Sequence, residues 1–595
     1  MRLVAAAAVG VVTLIVYALT AARDIFPGDS PEFVTVALTG GVAHPPGYPL
    51  LSILGVLFGQ LPVGPPPFRI DLISALCHAG AVVLVFLTAE RLSRNPLASA
   101  AAALVLAFGH GFWTWSLVAE TFPLNDLLAA LVLYLVVVWH ERPAATAPLV
   151  AAAVAFGLGM ANQQTISFLL PAIAFVLYTH RSALRGRPVL VQCAAVAAGA
   201  AIVPYAYIVV AAGRHAVLNW GGIQSVGDLA RQILRLDYGT GQLVSTPGYQ
   251  GGNGLERLAA FVSNANPLLA VLSVAGAVYA YRRLRWYFWT VAIAFLISGP
   301  IFIAYANANP EVDTARFILL RFYLLPQVIV APLAALGIVF ASEVVRRRLA
   351  EPPGWLPSAV AGAALALAAL ELVASYGGVD RSGDHVARTF AEDILATAPD
   401  GSIVLAAGDH VVLPLEYLQA VEGKRPEVTV IAWTLLGLDW YQRELKLRHP
   451  ELNLPLARYQ ESDGLLTLVR ANPDRKFILT GEEAGQSLQG TFGIYPRGLT
   501  LPIIDAKLLL DLTTVANENE QLLGTYRIPS LSSIDRDSFE RFIVSWYALV
   551  PFRVGAQYES AKQKPDARTW YERAIAIDPQ LPEALNGLRR LASGP

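Results

Sequence analysis

Residues 2–32 read R-L-V-A-A-A-A-V-G-V-V-T-L-I-V-Y-A-L-T-A-A-R-D-I-F-P-G-D-S-P-E. From Leu3 to Ala22 no side chain is charged, and a run of about 20 such residues is what a helix needs to cross the hydrocarbon core of a bilayer. Two carboxylates, Asp29 and Glu32, follow directly after a Pro-Gly turn. A spanning run that delivers acids to the edge of the membrane decides the fold class: a polytopic α-helical membrane protein whose chemistry sits at one face of the bilayer.

The rest of the chain agrees. Of its 595 residues 55% are hydrophobic and only 15% charged, where soluble domains carry about a quarter charged residues. The net charge of −1 implies no general affinity for nucleic acid. Spans are predicted near 3–22, 71–90, 97–117, 122–139, 147–161, 165–179, 189–211, 267–281, 286–305, 319–341 and 357–376, about eleven by the 20-residue ruler. The stretch 48–62 reads as a re-entrant or interfacial helix. Cys77 and Cys193 lie inside apolar runs, so they read as small packing residues.

Arginine orients the bundle, because short cytoplasmic loops are enriched in Lys and Arg. Arg2, Arg91 and Arg94, Arg142, Arg181, Arg185 and Arg187, Arg282, Arg283 and Arg285, and Arg346, Arg347 and Arg348 all fall on one side of these spans. The other side receives the loops 23–70, 212–266 and 306–318 and everything beyond the last span. A cleaved leader is the alternative reading of the N-terminus; it leaves Asp29 on the same side.

Beyond Gly377 the apolar runs shorten. Ser402–Ala407, Val428–Trp433 and Lys476–Thr480 read as buried strands and Leu413–Val421 and Trp440–Leu447 as helices, an α/β pattern. Gly408-Asp409-His410 follows the first strand, where an open α/β sheet places ligand contacts; a plain turn is the competing reading. Val554, Gly555, Tyr558, Ala567, Tyr571, Ala574 and Pro579 have the spacing of one tetratricopeptide repeat. A lone repeat must dock its open face on the α/β domain or on another protein. The expected organisation is therefore a transmembrane domain over 1–376, an extracytoplasmic α/β domain over 377–546 and a tetratricopeptide-like helical repeat over 547–595.

Asp29 and Glu32 share a face if they lie on a helix, and carboxylates at a bilayer edge are costly unless hydrated or paired; a solvated loop pair is the plain alternative. Glu120 sits at the outer end of the third span, in W-T-W-S-L-V-A-E. Asn125 and Asp126 read first as a helix cap. Arg235 and Tyr238, in L-R-L-D-Y-G, and Arg316 and Arg321, in R-F-I-L-L-R-F-Y-L-L-P, are cations and a phenol on the outer side, against the charge trend. They suit an anionic group such as a lipid phosphate, with salt bridges to Glu311 or Asp313 as the alternative. No Cys/His cluster has zinc spacing, and the acids, without nearby histidines, suit Mg²⁺ or Mn²⁺ only weakly.

G-D-S-P-E-F, H-P-P-G-Y-P-L, W-S-L-V-A-E-T-F-P-L-N, N-W-G-G, R-L-D-Y-G-T, R-F-Y-L-L-P and G-D-H with L-Q-A-V-E-G-K-R-P together resemble a membrane family long filed as of unknown function. Its animal member is the transmembrane O-mannosyltransferase acting on plexin and Met-type receptors. The resemblance spans about residues 23–430; it departs at Pro31, where glycine is expected, and at Thr121-Phe122, where Val-Tyr is commoner. It implies a GT-C-type glycosyltransferase that moves a mannose-like sugar from a polyprenyl-phosphate donor to a hydroxyl acceptor, such as protein Ser/Thr, at the outer face of a cell (inner) membrane. It also implies Asp29 as general base, Glu32 and Glu120 as supporting acids, and His44, Tyr48, Arg235, Tyr238, Arg316 and Arg321 around the donor. A transporter of lipid-linked sugars and a non-catalytic envelope scaffold, using its repeat to hold a protein partner, are the rival readings.

Overall fold

Inside hydrocarbon every backbone N–H and C=O must be bonded within its own segment, so the apolar runs become helices. The computed structural model describes residues 2–186, 188–237, 239, 241–244, 250–459, 463–481, 488, 491–508, 510–534 and 538–592. All eleven predicted spans fall on helices. Seven helices are long and apolar enough to cross a membrane: Arg2–Thr20, Pro66–Ser93, Phe122–Glu141, Val189–Ala212, Arg285–Tyr305, Ala315–Arg348 and Leu356–Val379. An eighth candidate is Pro267–Arg283, which is bent by 98° from the helix Gly254–Ser263 before it. The segments 97–117, 147–161 and 165–179 are shorter apolar helices, Pro96–Phe108, Ala147–Met160 and Gln164–Thr179. By length alone the expected eleven spans therefore reduce to seven or eight, because these three runs break at Gly109, near Ala161 and near His180 before reaching span length. Pro49–Phe58, in the stretch read as re-entrant or interfacial, is ten residues long, half what a crossing needs.

These helices make one compact unit, formed by Met1–Arg23, Ala43–Ala211 and Leu229–Gly383. Small residues set their closest crossings, as expected where lipid supplies no hydrophobic drive. A Cβ on Gly276 would lie 1.8 Å from the Leu333 carbonyl oxygen, and one on Gly337 2.0 Å from that of Leu272. Only glycine lets the helices Pro267–Arg283 and Leu324–Arg348 approach so closely.

The second unit comprises Asp24–Val42, Ala212–Asp228 and Asp384–Pro595. Its sheet contains β1 (Ile403–Ala406), β2 (Thr429–Ala432), β3 (Phe477–Leu479), β4 (Phe492–Ile494) and β5 (Leu501–Asp505) in the order β2-β1-β3-β5-β4. β1 is parallel to β2 and β3, with Ile403 level with Thr429 and Phe477, while β5 is antiparallel to β3 and β4. The three predicted strands and both helices are present, the helices as Asp409–Ala420 and Asp439–Arg448.

At the C-terminus, Phe539–Ser560, Lys564–Ile577 and Pro582–Ala592 follow one another, with Val554, Tyr558, Ala567, Trp570 and Tyr571 in their shared core. Phe390 and His410 meet Trp546 of the first of these helices, so these helices dock on the α/β domain. Residues 24–42 and 212–228 belong with the C-terminal region, and the helix Phe539–Ser560 runs through position 546.

Candidate functional site

Within the membrane unit the chain leaves the helix His110–Thr114 and re-enters at Phe122-Pro123. Proline at the first turn is preorganised to start a helix, and Glu120 lies on the short stretch between. It is 3% exposed. Its carboxylate accepts from Arg321 Nη1 at 2.7 Å, and its backbone N–H donates to Ser74 Oγ at 3.3 Å. Arg321 stands in the last turn of the helix Asp313–Phe322, where the helix dipole favours a cation. Its guanidinium carbon is 5.7 Å from the Trp115 ring and 5.8 Å from that of Phe122. This outward arginine is thus paired with Glu120, from the stretch between two other helices of the unit.

Asn125 and Asp126 do not cap the helix. Thr121 occupies the N-cap position, and both residues lie inside Phe122–Glu141 with no exposure. Pro123 starts the helix early enough to turn them inward. Asp126 Oδ2 meets His78 Nε2 at 3.3 Å, and His78 Nδ1 meets Ser116 Oγ at 2.7 Å. Ser116 donates its own proton to the Phe112 carbonyl, which makes His78 Nδ1 the donor to Ser116. The His78 ring also stacks on Phe112 at 3.9 Å. His78 carried no signal in the sequence: a single histidine in an apolar run reads as packing.

His44 and Tyr48 meet each other, the phenol oxygen 3.2 Å from His44 Nε2 and the rings edge to face. Gln232 donates to the Ala43 carbonyl at 2.8 Å, which fastens this turn to the helix Val226–Ile233. Arg235, three residues beyond Gln232, is half-buried in a left-handed conformation, φ +55°. Arg316 is half-buried on the helix Asp313–Phe322. Tyr238 lies outside the described residues.

In the second unit Asp29 is the N-cap of the helix Ser30–Thr39 and Glu32 lies in its first turn, where the dipole favours carboxylates. Asp29 is half-buried. Glu32 is 1% exposed, which overturns the solvated-pair reading for that residue. The helix packs on Asp409–Ala420, bringing Glu32 into the electrostatic neighbourhood of Glu416 and Asp409. Burial pushes the Glu416 carboxyl up to about 8, opposed by Arg448 and reinforced by the Glu32 and Asp409 charges. Gly408, at φ +87°, turns the chain from β1 into the helix and brings His410 beneath it. Burial lowers the His410 imidazole to about 3. Gly-Asp-His here is a strand-to-helix turn with a buried, neutral imidazole. Glu416 escaped sequence reasoning because it stands in an unremarkable amphipathic helix.

Two family models match this chain. Residues 29–185 match the N-terminal domain of protein O-mannosyl-transferase TMEM260, and residues 387–457 match TMEM260-associated domain 2. Asp29, Glu32, His44, Tyr48 and Glu120 lie in the first match; Asp409, Glu416 and Arg448 lie in the second. Protein O-mannosyl-transferase TMEM260 of Mus musculus is 30% identical over 472 residues, which cover 76% of this chain and 65% of that relative. Its counterpart in Dictyostelium discoideum is 24% identical over 590 residues, 90% of this chain and 71% of the relative. Among solved structures, apo ArnT from Cupriavidus metallidurans superposes with a TM-score of 0.52 at 13% identity over 84% of this chain and 97% of that one. ArnT bound to undecaprenyl phosphate gives 0.51 at 14% identity with the same coverage. The fold is therefore ArnT-like.

Proposed function

We propose that this chain is a membrane glycosyltransferase that moves a mannose-like sugar from a polyprenyl-phosphate donor to a hydroxyl acceptor, protein Ser or Thr, at the outer face of the cell (inner) membrane. The observation that carries this reading is the similarity to protein O-mannosyl-transferases over 76% and 90% of the chain. The buried Glu120–Arg321 pair supports it, since a desolvated guanidinium is a strong partner for a phosphate.

In the proposed step the acceptor oxygen attacks the anomeric carbon and the carbon–oxygen bond to the donor phosphate breaks. The hydroxyl proton passes to the Asp29 carboxylate as general base, and the electron pair leaves with the polyprenyl phosphate. Arg321, Arg316 and Arg235 stabilise that leaving anion, Glu32 and Glu120 orient the reacting groups, and His44 and Tyr48 hold the donor head. Among the described residues no group of three or more His, Cys, Asp or Glu is arranged to hold a metal ion, and no step is routed through one. A protein partner at the C-terminal helices belongs to the same proposal.

The test is transfer of labelled mannose from a polyprenyl-phosphate donor by the chain in liposomes, with donor binding followed separately. Asp29→Asn, which keeps size but cannot accept the proton, is expected to lose about 10²–10⁴ in rate and to keep donor binding. Normal turnover in Asp29→Asn with loss in Glu120→Gln would move the base to Glu120. Full transfer in Asp29→Asn, Glu32→Gln and Glu120→Gln alike would end the enzyme reading.

A further inference from the structure

The loop that carries Asp29 and Glu32 is held at four points, three by the C-terminal region and one by the 218–220 segment. At its start Asp24, 4% exposed, uses both carboxylate oxygens. Oδ1 accepts the Ile25 N–H at 2.8 Å, and Oδ2 accepts from Arg388 Nε at 2.5 Å and lies 3.0 Å from His385 Nδ1. Arg388 is itself fixed, since its two Nη atoms fork onto the Glu422 carboxylate at 2.8 and 2.5 Å; such bidentate pairs specify geometry as well as energy. Four residues on from Asp24, Gly28 adopts φ +103°, and a Cβ there would lie 3.3 Å from the Phe539 ring. The next helix, Ser30–Thr39, lies on Asp409–Ala420. At the loop's end Val42 exchanges backbone hydrogen bonds with the 218–220 segment, accepting from Trp220 at 3.2 Å and donating to Leu218 at 2.9 Å. Trp220 in turn packs on Trp440 at 5.4 Å.

Free surface loops are ordinarily the mobile parts of a molecule. Here a buried carboxylate, a forked arginine, a glycine packed against an aromatic ring and a backbone bridge all act on one stretch of 19 residues, Asp24–Val42. Reacting groups need placement to within a fraction of an ångström, and nothing else in that stretch calls for such restraint. We propose that the C-terminal region is a positioning part of the transfer site, with Asp24 and Arg388 as the clasp that fixes the loop bearing Asp29 and Glu32. The activity readout of this inference rests on the transferase reading; its structural readout does not.

The experiment compares the full-length chain in nanodiscs with Arg388→Gln, Asp24→Asn, their double variant and Arg388→Lys. Backbone hydrogen–deuterium exchange over residues 25–42 is followed beside kcat and KM for the polyprenyl-phosphate sugar. Arg388→Gln and Asp24→Asn are each expected to speed exchange in that stretch by about tenfold or more and to lower kcat by a similar factor, with donor KM within about twofold. The double variant should be no worse than the poorer single, because both break the same interaction, and Arg388→Lys, which keeps the charge but not the fork, should recover only part of the rate. If Arg388→Gln is recovered unfolded, the near-isosteric Asp24→Asn carries the same readouts. Unchanged exchange over 25–42 in a folded variant, additive losses in the double variant, or lower stability with kcat intact would each overturn the clasp. Faster exchange in the variants of a wild-type chain that transfers nothing would discard the transferase reading and leave the clasp standing.

Discussion

Glu120 and Arg321 stand 201 positions apart in the chain and 2.7 Å apart in space. Both are almost wholly buried, at 3% and 6% exposure, so removing one strands the other's charge away from water. Losing one partner of such a pair costs about 3–5 kcal/mol, whereas neutralising both is far milder. Arg321→Ala is therefore expected to melt well below wild type in detergent, while Glu120→Gln with Arg321→Met regains most of that loss without regaining transfer. A double variant no more stable than Arg321→Ala would show that the two do not act as a pair. On the donor side, loss of the guanidinium should weaken polyprenyl-phosphate binding by roughly tenfold or more, the scale of a lost charge-assisted hydrogen bond. The acid opposite this misplaced cation was legible in sequence, and so was the cation. Their pairing was not, because local spacing favours Glu311 and Asp313, and only helix packing selects a residue from the far side of the bundle.

At the scale of elements, the helix Asp409–Ala420 carries the clearest pH signature. Glu416 titrates at about 8 in the folded chain against 4.5 for a free carboxyl, so the native state binds its proton more tightly than the unfolded state does. Linkage then requires the stability it contributes to be fully present below about 4.5 and to decline as pH rises through about 8. Glu416→Gln, permanently neutral, should abolish that decline. Its melting temperature in detergent is expected to match wild type at pH 5 and to exceed it at pH 9. Equal losses in both proteins between those values would assign the decline to other groups. The helix itself, the strands β1, β2 and β3 and the helix Asp439–Arg448 were all readable, because buried parallel strands are short continuous apolar runs. The polar ladder of His78, Ser116 and Asp126 was not, since the same residue types serve as caps or packing elsewhere, and their inward facing depends on where Pro123 starts the helix.

For the whole molecule the arginine pattern makes a topological statement. Arg91, Arg282 and Arg283, and Arg346, Arg347 and Arg348 all stand in the last turns of apolar helices, where the helix dipole and the positive-inside trend both favour them. The proposed orientation makes these ends cytoplasmic and so predicts the α/β region and its terminal helices outside. A reporter active only in the cytoplasm, fused after Pro595, is expected to be silent, and one active only outside is expected to signal. Cytoplasmic activity would overturn the outer-face assignment and, with it, the placement of Asp29.

By itself the sequence determined a helical membrane bundle, a separate α/β pattern beyond it, and the acids and arginines that carry the proposed chemistry. These follow from hydropathy, periodicity and residue type, which act locally and need no knowledge of the fold. Tertiary structure alone decided which of them meet. It paired Arg321 with Glu120, turned Asp126 onto His78, and packed the loop of Asp29 and Glu32 with a region more than 340 residues later in the chain. Such choices depend on how helices cross and which side chains they bury together. A buried charge takes whatever partner that packing brings within reach, however distant in the chain.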